Sequence, residues 1–142
     1  MKREEFEKLV EEGFERLPQW VREKIQNVAL LVEDEPSEED RKREELDDDE
    51  TLLGLYKGIP LAARGEYYGV GITMPDTITL YQLPIEEAAK ASLRDVRSTH
   101  REDDAFRAAV RKEVEDTIWH EFAHHFGMDE EEVRARERKH QE

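Results

Sequence analysis

The chain has 142 residues, 37% of them hydrophobic and 42% charged, with a net charge of −15 at pH 7, which predicts one domain with a compact core and a highly charged surface. The negative charge disfavours nucleic acids and anionic membranes as partners, because both would be repelled. Cysteine is absent, so disulfides and thiolate ligands are excluded, and His, Asp or Glu would have to hold any metal.

The N-terminal segment carries no targeting signal that we recognise. Its first residues are mostly charged and lack the apolar run of a signal peptide. No stretch approaches the roughly 18 apolar residues that cross a membrane. We therefore expect a cytoplasmic protein without membrane partners.

The first part of the chain predicts two helices and a strand. Residues 3 to 17 carry apolar side chains at spacings of three and four, which is typical of an amphipathic helix, and Pro18 ends it. A second, short helix is predicted around residues 20 to 25. The apolar run of residues 27 to 32 then predicts a buried strand.

Residues 33 to 50 form an acidic segment with twelve acidic and three basic side chains. Such a composition cannot build a core, and repulsion between the acidic groups favours an extended loop. We expect a solvated, mobile insertion with at most a transient helix between residues 37 and 46. The functional alternative is a lid or a collector of cations.

Two further strands and a helix are predicted in the middle of the chain. Residues 52 to 57 form a strand candidate that ends at the turn signal Gly58-Ile59-Pro60. Apolar residues alternate with Thr and Tyr over residues 77 to 82, which predicts a strand with one buried face, and we place it at a sheet edge. Pro84 opens the next helix.

A long helix follows a charged loop at residues 97 to 104. Its apolar residues recur every four positions and predict a buried seam: Phe106, Val110, Val114, Ile118 and Phe122. A last charged helix is predicted over residues 130 to 140, with Asp129 as its N-cap. The order of elements predicts an α+β domain over residues 1 to 142, in which a small β-sheet packs on the long helix.

The long helix carries the motif His120-Glu121-x-x-His124. Residues four apart lie on the same face of a helix, so both imidazoles can bind one metal ion. Glu121 points to a neighbouring part of the surface, where it can take a proton from the water that the metal carries. Both histidines lie away from the apolar seam. The alternative is two ordinary helix histidines that bind nothing.

Four blocks of sequence, in one order, resemble the small bacterial zincin-like metallopeptidases, also described as minimal zincins. The blocks are LLGLYKGIPL (52 to 61), RG (64 and 65), PDTITLY with PIE (75 to 81 and 84 to 86), and HEFAHHFG (120 to 127). The resemblance implies a single-lobed fold of sheet and active-site helix. It also implies that His120 and His124 bind Zn²⁺ and that Glu121 is the general base.

The sequence offers three candidates for the third metal ligand. In the longer pattern His-Glu-x-x-His-x-x-Gly-x-x-ligand of metzincin-like proteins, the ligand position falls on Glu130. Asp129 is the rival, although an N-cap role already gives it a structural use. His125 comes third, because it projects about 100° round the helix from His124, and we expect it to pack or to hydrogen-bond near the ligands. No methionine turn follows the motif.

These observations predict a zinc-dependent peptidase that acts on a peptide or protein substrate. Glu121 would move the proton from water to the leaving amine, and Tyr67, Tyr68 or Tyr81 would be candidate donors to the oxyanion. An extended peptide could add to the strand of residues 77 to 82, with Tyr81 as a substrate-binding residue. The alternative function is a non-catalytic zinc-binding interaction module, in which the metal fixes the junction of two helices.

Overall fold

The computed structural model describes residues 1 to 25, 27 to 58, 76 to 93 and 102 to 125. Five helices and three strands lie in these ranges. In chain order they are α1 (Arg3–Glu15), α2 (Gln19–Lys24), β1 (Val28–Glu33), α3 (Glu38–Arg43), β2 (Gly54–Lys57), β3 (Asp76–Tyr81), α4 (Gln82–Ser92) and α5 (Glu102–His125). The combination of helices with one small sheet confirms the predicted α+β class.

The three described strands form a sheet of order β1-β3-β2. β1 runs parallel to β3 and β2 runs antiparallel to it. The placement of residues 77 to 82 at a sheet edge is therefore wrong, because β3 is paired on both sides. The alternation of apolar and polar residues suggested that one face of this strand is exposed. Thr79 and Tyr81, on that second face of β3, are in fact buried as well.

The apolar seam of α5 lies in the core, as predicted. Val110, Val114 and Ile118 are fully buried. α1 packs closely beside this seam, since a Cβ atom at Gly13 would lie 2.8 Å from Val114 Cγ1. The core cluster around this seam also contains apolar residues from α1, α2, β3, α4 and the connections on either side of α2: Phe6, Leu9, Val10, Leu17, Val21, Ile25, Ile78, Leu80, Ile85 and Ala89.

The acidic segment is not a purely solvated insertion, and this part of the prediction is wrong. It contains α3, whose N-cap Ser37 accepts a hydrogen bond from the Asp40 backbone N–H at 3.1 Å. Asp40 is only 4% exposed, and its carboxylate lies 2.9 Å from Lys57 Nζ on β2. Tyr81 Oη on β3 is 3.5 Å away. A cation and hydrogen bonds can offset the cost of burying a carboxylate. The number of acidic residues in a segment does not show whether such partners are present.

The remaining boundaries differ from the prediction in detail. α4 begins at Gln82, two residues before Pro84, which occupies the first turn where its missing N–H is not needed. α5 begins at Glu102, so residues 102 to 104, the end of the loop predicted over residues 97 to 104, are helical instead. The predicted helix over residues 130 to 140 lies outside the described residues. None of the helices in the described ranges has the length and apolar character needed to span a membrane.

Gly54 provides a test of how closely β2 approaches α5. A Cβ atom there would lie 2.6 Å from Thr117 Cγ2 and 3.0 Å from the Thr79 carbonyl oxygen. We expect Gly54→Ala to lower the free energy of unfolding by about 1–3 kcal/mol through overpacking, measured by denaturant titration. Gly58→Ala is the control, because its Cβ would meet nothing closer than 3.7 Å. Equal stabilities for the two variants would contradict the close approach.

The buried Asp40 carboxylate should make the stability of the fold depend on pH. Burial raises its pKa, but the hydrogen bond and charge of Lys57, with help from Ser37 and Arg43, bring the pKa below the ordinary value of 3.8. Because the pKa of Asp40 is lower in the folded chain than in the unfolded chain, this carboxylate stabilises the fold above pH 3.8. The contribution is lost as pH falls through the folded pKa.

Asp40→Asn should therefore lower the free energy of unfolding by about 1–3 kcal/mol at pH 7. The difference from the parent should shrink below about pH 4. Denaturant titrations between pH 7 and pH 3 measure both effects. Glu39→Gln on the same helix is the control, because its side chain is 84% exposed and should contribute little. If the difference in unfolding free energy between Asp40→Asn and the parent stayed constant with pH, the stabilising role of the Asp40 carboxylate would be contradicted.

Candidate active site

The end of α5 presents two histidines to solvent. His120 and His124 are both exposed and lie away from the buried seam of the same helix. Their rings are nearly parallel, at an interplanar angle of 15°, and the ring centroids are 6.3 Å apart. The helix thus brings the two imidazoles to one face, as their spacing of four residues requires.

Glu121 lies between these histidines in sequence and is half-buried. Its Oε2 accepts a hydrogen bond from the Tyr56 backbone N–H at 3.3 Å. Burial raises the pKa of Glu121, and the charge of Glu44 acts in the same direction. The hydrogen bond from Tyr56 and the neighbouring histidines oppose the shift, but the net pKa is raised. A raised pKa makes the carboxylate a better proton acceptor.

β2, not β3, is the strand that borders this site. The carbonyl oxygen of Leu53, the residue just before β2, accepts a hydrogen bond from the Tyr81 N–H at 2.9 Å and so points towards β3. In an antiparallel pair the backbone groups alternate in direction, and the Tyr56 N–H points away from β3 towards α5. The glycine at position 54 allows the strand to come this close to the helix.

Three side chains beside Glu121 form a cluster that the sequence did not single out as a unit. The Tyr56 ring stacks on the His125 imidazole, with centroids 3.7 Å apart and planes inclined by 14°. Tyr56 Oη donates to Asp76 Oδ2 at 2.9 Å, and His125 Nε2 lies 4.0 Å from the same oxygen. The sequence signal was present, because Tyr56, Asp76 and His125 all lie in the blocks that resemble the zincin-like family.

Of the other predicted site residues, the structure describes Tyr81, and it does not lie beside the histidine pair. Tyr81 is fully buried, and burial and the charge of Asp40 raise its pKa, so it is not on a surface that a peptide would touch. Glu130 and Asp129, and likewise Tyr67 and Tyr68, lie outside the described residues. Within the described ranges no group of three or more His, Asp or Glu is arranged to hold a metal.

A helix that carries His-Glu-x-x-His and packs against the edge strand of a small sheet defines the zincin class of metallopeptidase fold. The family model for zincin-like metallopeptidases matches residues 25 to 140, and the chain belongs to this family. The match confirms the family predicted from the sequence blocks. No curated protein matches the chain.

Membership in the family implies a metal ion, typically zinc. Imidazole nitrogens are preferred zinc donors, at distances of about 2.1 Å. His120 and His124 are exposed on one face of α5, with ring centroids 6.3 Å apart, and each offers a ring nitrogen of the kind that zinc prefers. The two residues therefore fit as two ligands of such an ion.

Proposed function

We propose that the protein is a zinc-dependent peptidase in which His120 and His124 bind the metal and Glu121 is the general base. The observation that carries the proposal is the half-buried Glu121 carboxylate, held by a backbone N–H beside two exposed imidazoles. Glu130 is the third ligand that we favour, with Asp129 as the alternative. Membership in the family supports hydrolysis of peptide bonds.

Glu121 performs the proton transfers in this mechanism. When bound, zinc supplies a Lewis acid that polarises the scissile carbonyl and makes a water easier to deprotonate. Glu121 accepts the proton from the attacking water and then gives it to the leaving amine. The Tyr56 N–H holds Oε2, so we assign the proton transfers to Oε1.

We propose β2 as the strand along which the substrate binds, in place of β3. Among the described strands β2 pairs only with β3, and the N–H of its residue Tyr56 faces Glu121. An extended peptide that added to this edge would pass the general base. Because the Tyr56 N–H already donates to Glu121, such a peptide would bind to the remaining outward backbone groups of β2, with little side-chain specificity. The net charge of −15 disfavours nucleic acid.

Removal of one ligand should remove the metal. We expect about one zinc per chain in the parent and almost none in His124→Ala, because two remaining ligands hold zinc weakly. Elemental analysis of protein purified without a histidine tag or a chelator measures both. His100→Ala, which removes a histidine outside the motif, should keep the metal. A parent that binds no zinc, even after its addition, would overturn the proposal.

Glu121→Gln separates a peptidase from the alternative zinc-binding module. Glutamine preserves the shape and an acceptor for the Tyr56 N–H but cannot take a proton at neutral pH, so zinc should stay while cleavage falls by at least about 100-fold. Cleavage of a peptide library, followed by mass spectrometry, measures the loss. Glu113→Gln, two turns earlier on α5, is the control. A zinc-loaded parent that cleaves nothing would favour the non-catalytic module.

A further inference from the structure

Tyr56 is fixed at both ends of its side chain and also holds the general base through its backbone. The ring is stacked on His125, and the hydroxyl donates to Asp76 Oδ2. The backbone N–H of the same residue donates to Glu121 Oε2. One residue therefore joins β2, the first residue of β3 and the last turn of α5. We call Tyr56, Asp76 and His125 the tyrosine clamp.

The clamp restrains two parts of the site at once. In the described part of the chain, β2 is paired on one side only, and an edge strand of four residues has few hydrogen bonds to fix its orientation. The fixed Tyr56 side chain supplies that orientation and so directs the N–H at Glu121. His125 follows His124 directly, so the stacked rings also hold the helix turn that carries this histidine.

The contacts suit a role in orientation better than a role in stability. Tyr56 and His125 are not fully buried, and the His125 side chain is 39% exposed, so they contribute less to the core than the fully buried seam of α5. Their positions differ from those of core residues in one respect: the Tyr56 N–H donates to Glu121, and His125 directly follows His124. A misplacement of about 1 Å at such a group can lower a rate by as much as 100-fold.

We infer that Tyr56 is a positioning residue, which the clamp orients so that its backbone N–H holds the Glu121 carboxylate in the geometry for proton transfer. The inference rests on the proposed role of Glu121 as the general base. It assigns a specific use to Tyr56, Asp76 and His125 that neither metal binding nor the His-Glu-x-x-His motif requires.

The first arm of the test needs no metal and no substrate. Hydrogen exchange of the Tyr56 amide, followed by NMR on the zinc-free full chain, reports the contact with Glu121. We expect Tyr56→Phe, which removes the bond to Asp76, to speed exchange of the position-56 amide by about tenfold. His125→Ala, which removes the stacked ring, should do the same. Ser92→Ala is the control, because it removes a hydroxyl hydrogen bond at the end of α4.

The second arm measures the zinc-loaded protein with a cleaved peptide. Tyr56→Phe and His125→Ala should lower kcat by about tenfold with KM changed less than about twofold, and with zinc content equal to the parent. Ser92→Ala should leave both constants unchanged. A purely structural clamp would lower the Tm of the variants without changing kcat well below that temperature.

Unchanged exchange in both clamp variants would overturn the inference, and so would faster exchange without a fall in kcat. These results are distinct from a failure of the proposed function. If Glu121→Gln abolishes cleavage while exchange at position 56 is insensitive to the clamp, the peptidase assignment stands and the clamp is rejected. Loss of zinc in His125→Ala would also count against the inference, since it would make this histidine a ligand.

Discussion

The contact between β2 and the C-terminal half of α5 is the constraint on which the candidate site depends. The motif residues all lie on the helix, yet Glu121 obtains its hydrogen bond from the sheet. The glycine at position 54 makes this possible, because it has no Cβ where Thr117 lies. A wider spacing would leave the carboxylate in water, and its pKa would return towards the ordinary value.

The two faces of the sheet hold this contact from opposite sides. One face packs on α5 and carries the apolar core. The other face carries the ion pair between the buried Asp40 of α3 and Lys57 of β2, whose side chain is 39% exposed. Lys57 directly follows Tyr56, so α3 anchors β2 next to the residue that holds Glu121. A segment whose composition reads as solvated therefore supports the position of the site from the far side of the sheet.

The sequence predicted those features of the fold and the site that depend on a pattern within one helix or strand. Apart from α3, the helices and strands of the described ranges, the buried seam of α5 and the shared face of His120 and His124 all follow from patterns within one element. The central position of β3 could not be predicted, because strand order depends on pairing between residues distant in the chain. Likewise, nothing local distinguishes Asp40 from the acidic residues around it, since its burial depends on Lys57 and Tyr81.

The hydrogen bond to Glu121 was beyond sequence reasoning for a different reason. Its donor is a backbone N–H, which every residue except proline possesses, so the identity of Tyr56 does not reveal it. Only the strand register and the close packing on α5 direct this N–H at the carboxylate. The family resemblance marked the right segment, residues 52 to 61, but a resemblance does not assign atoms.

The basicity of Glu121 is set more by this packing than by the high negative charge of the chain. Burial is the largest cause of its raised pKa, and the charge of Glu44 is a smaller one. Glu44 is exposed, and salt screens the influence of exposed charges, whereas it does little to the cost of removing a carboxylate from water. A carboxylate whose raised pKa depends on burial keeps that direction of shift across ionic strengths, provided that β2 stays on the helix.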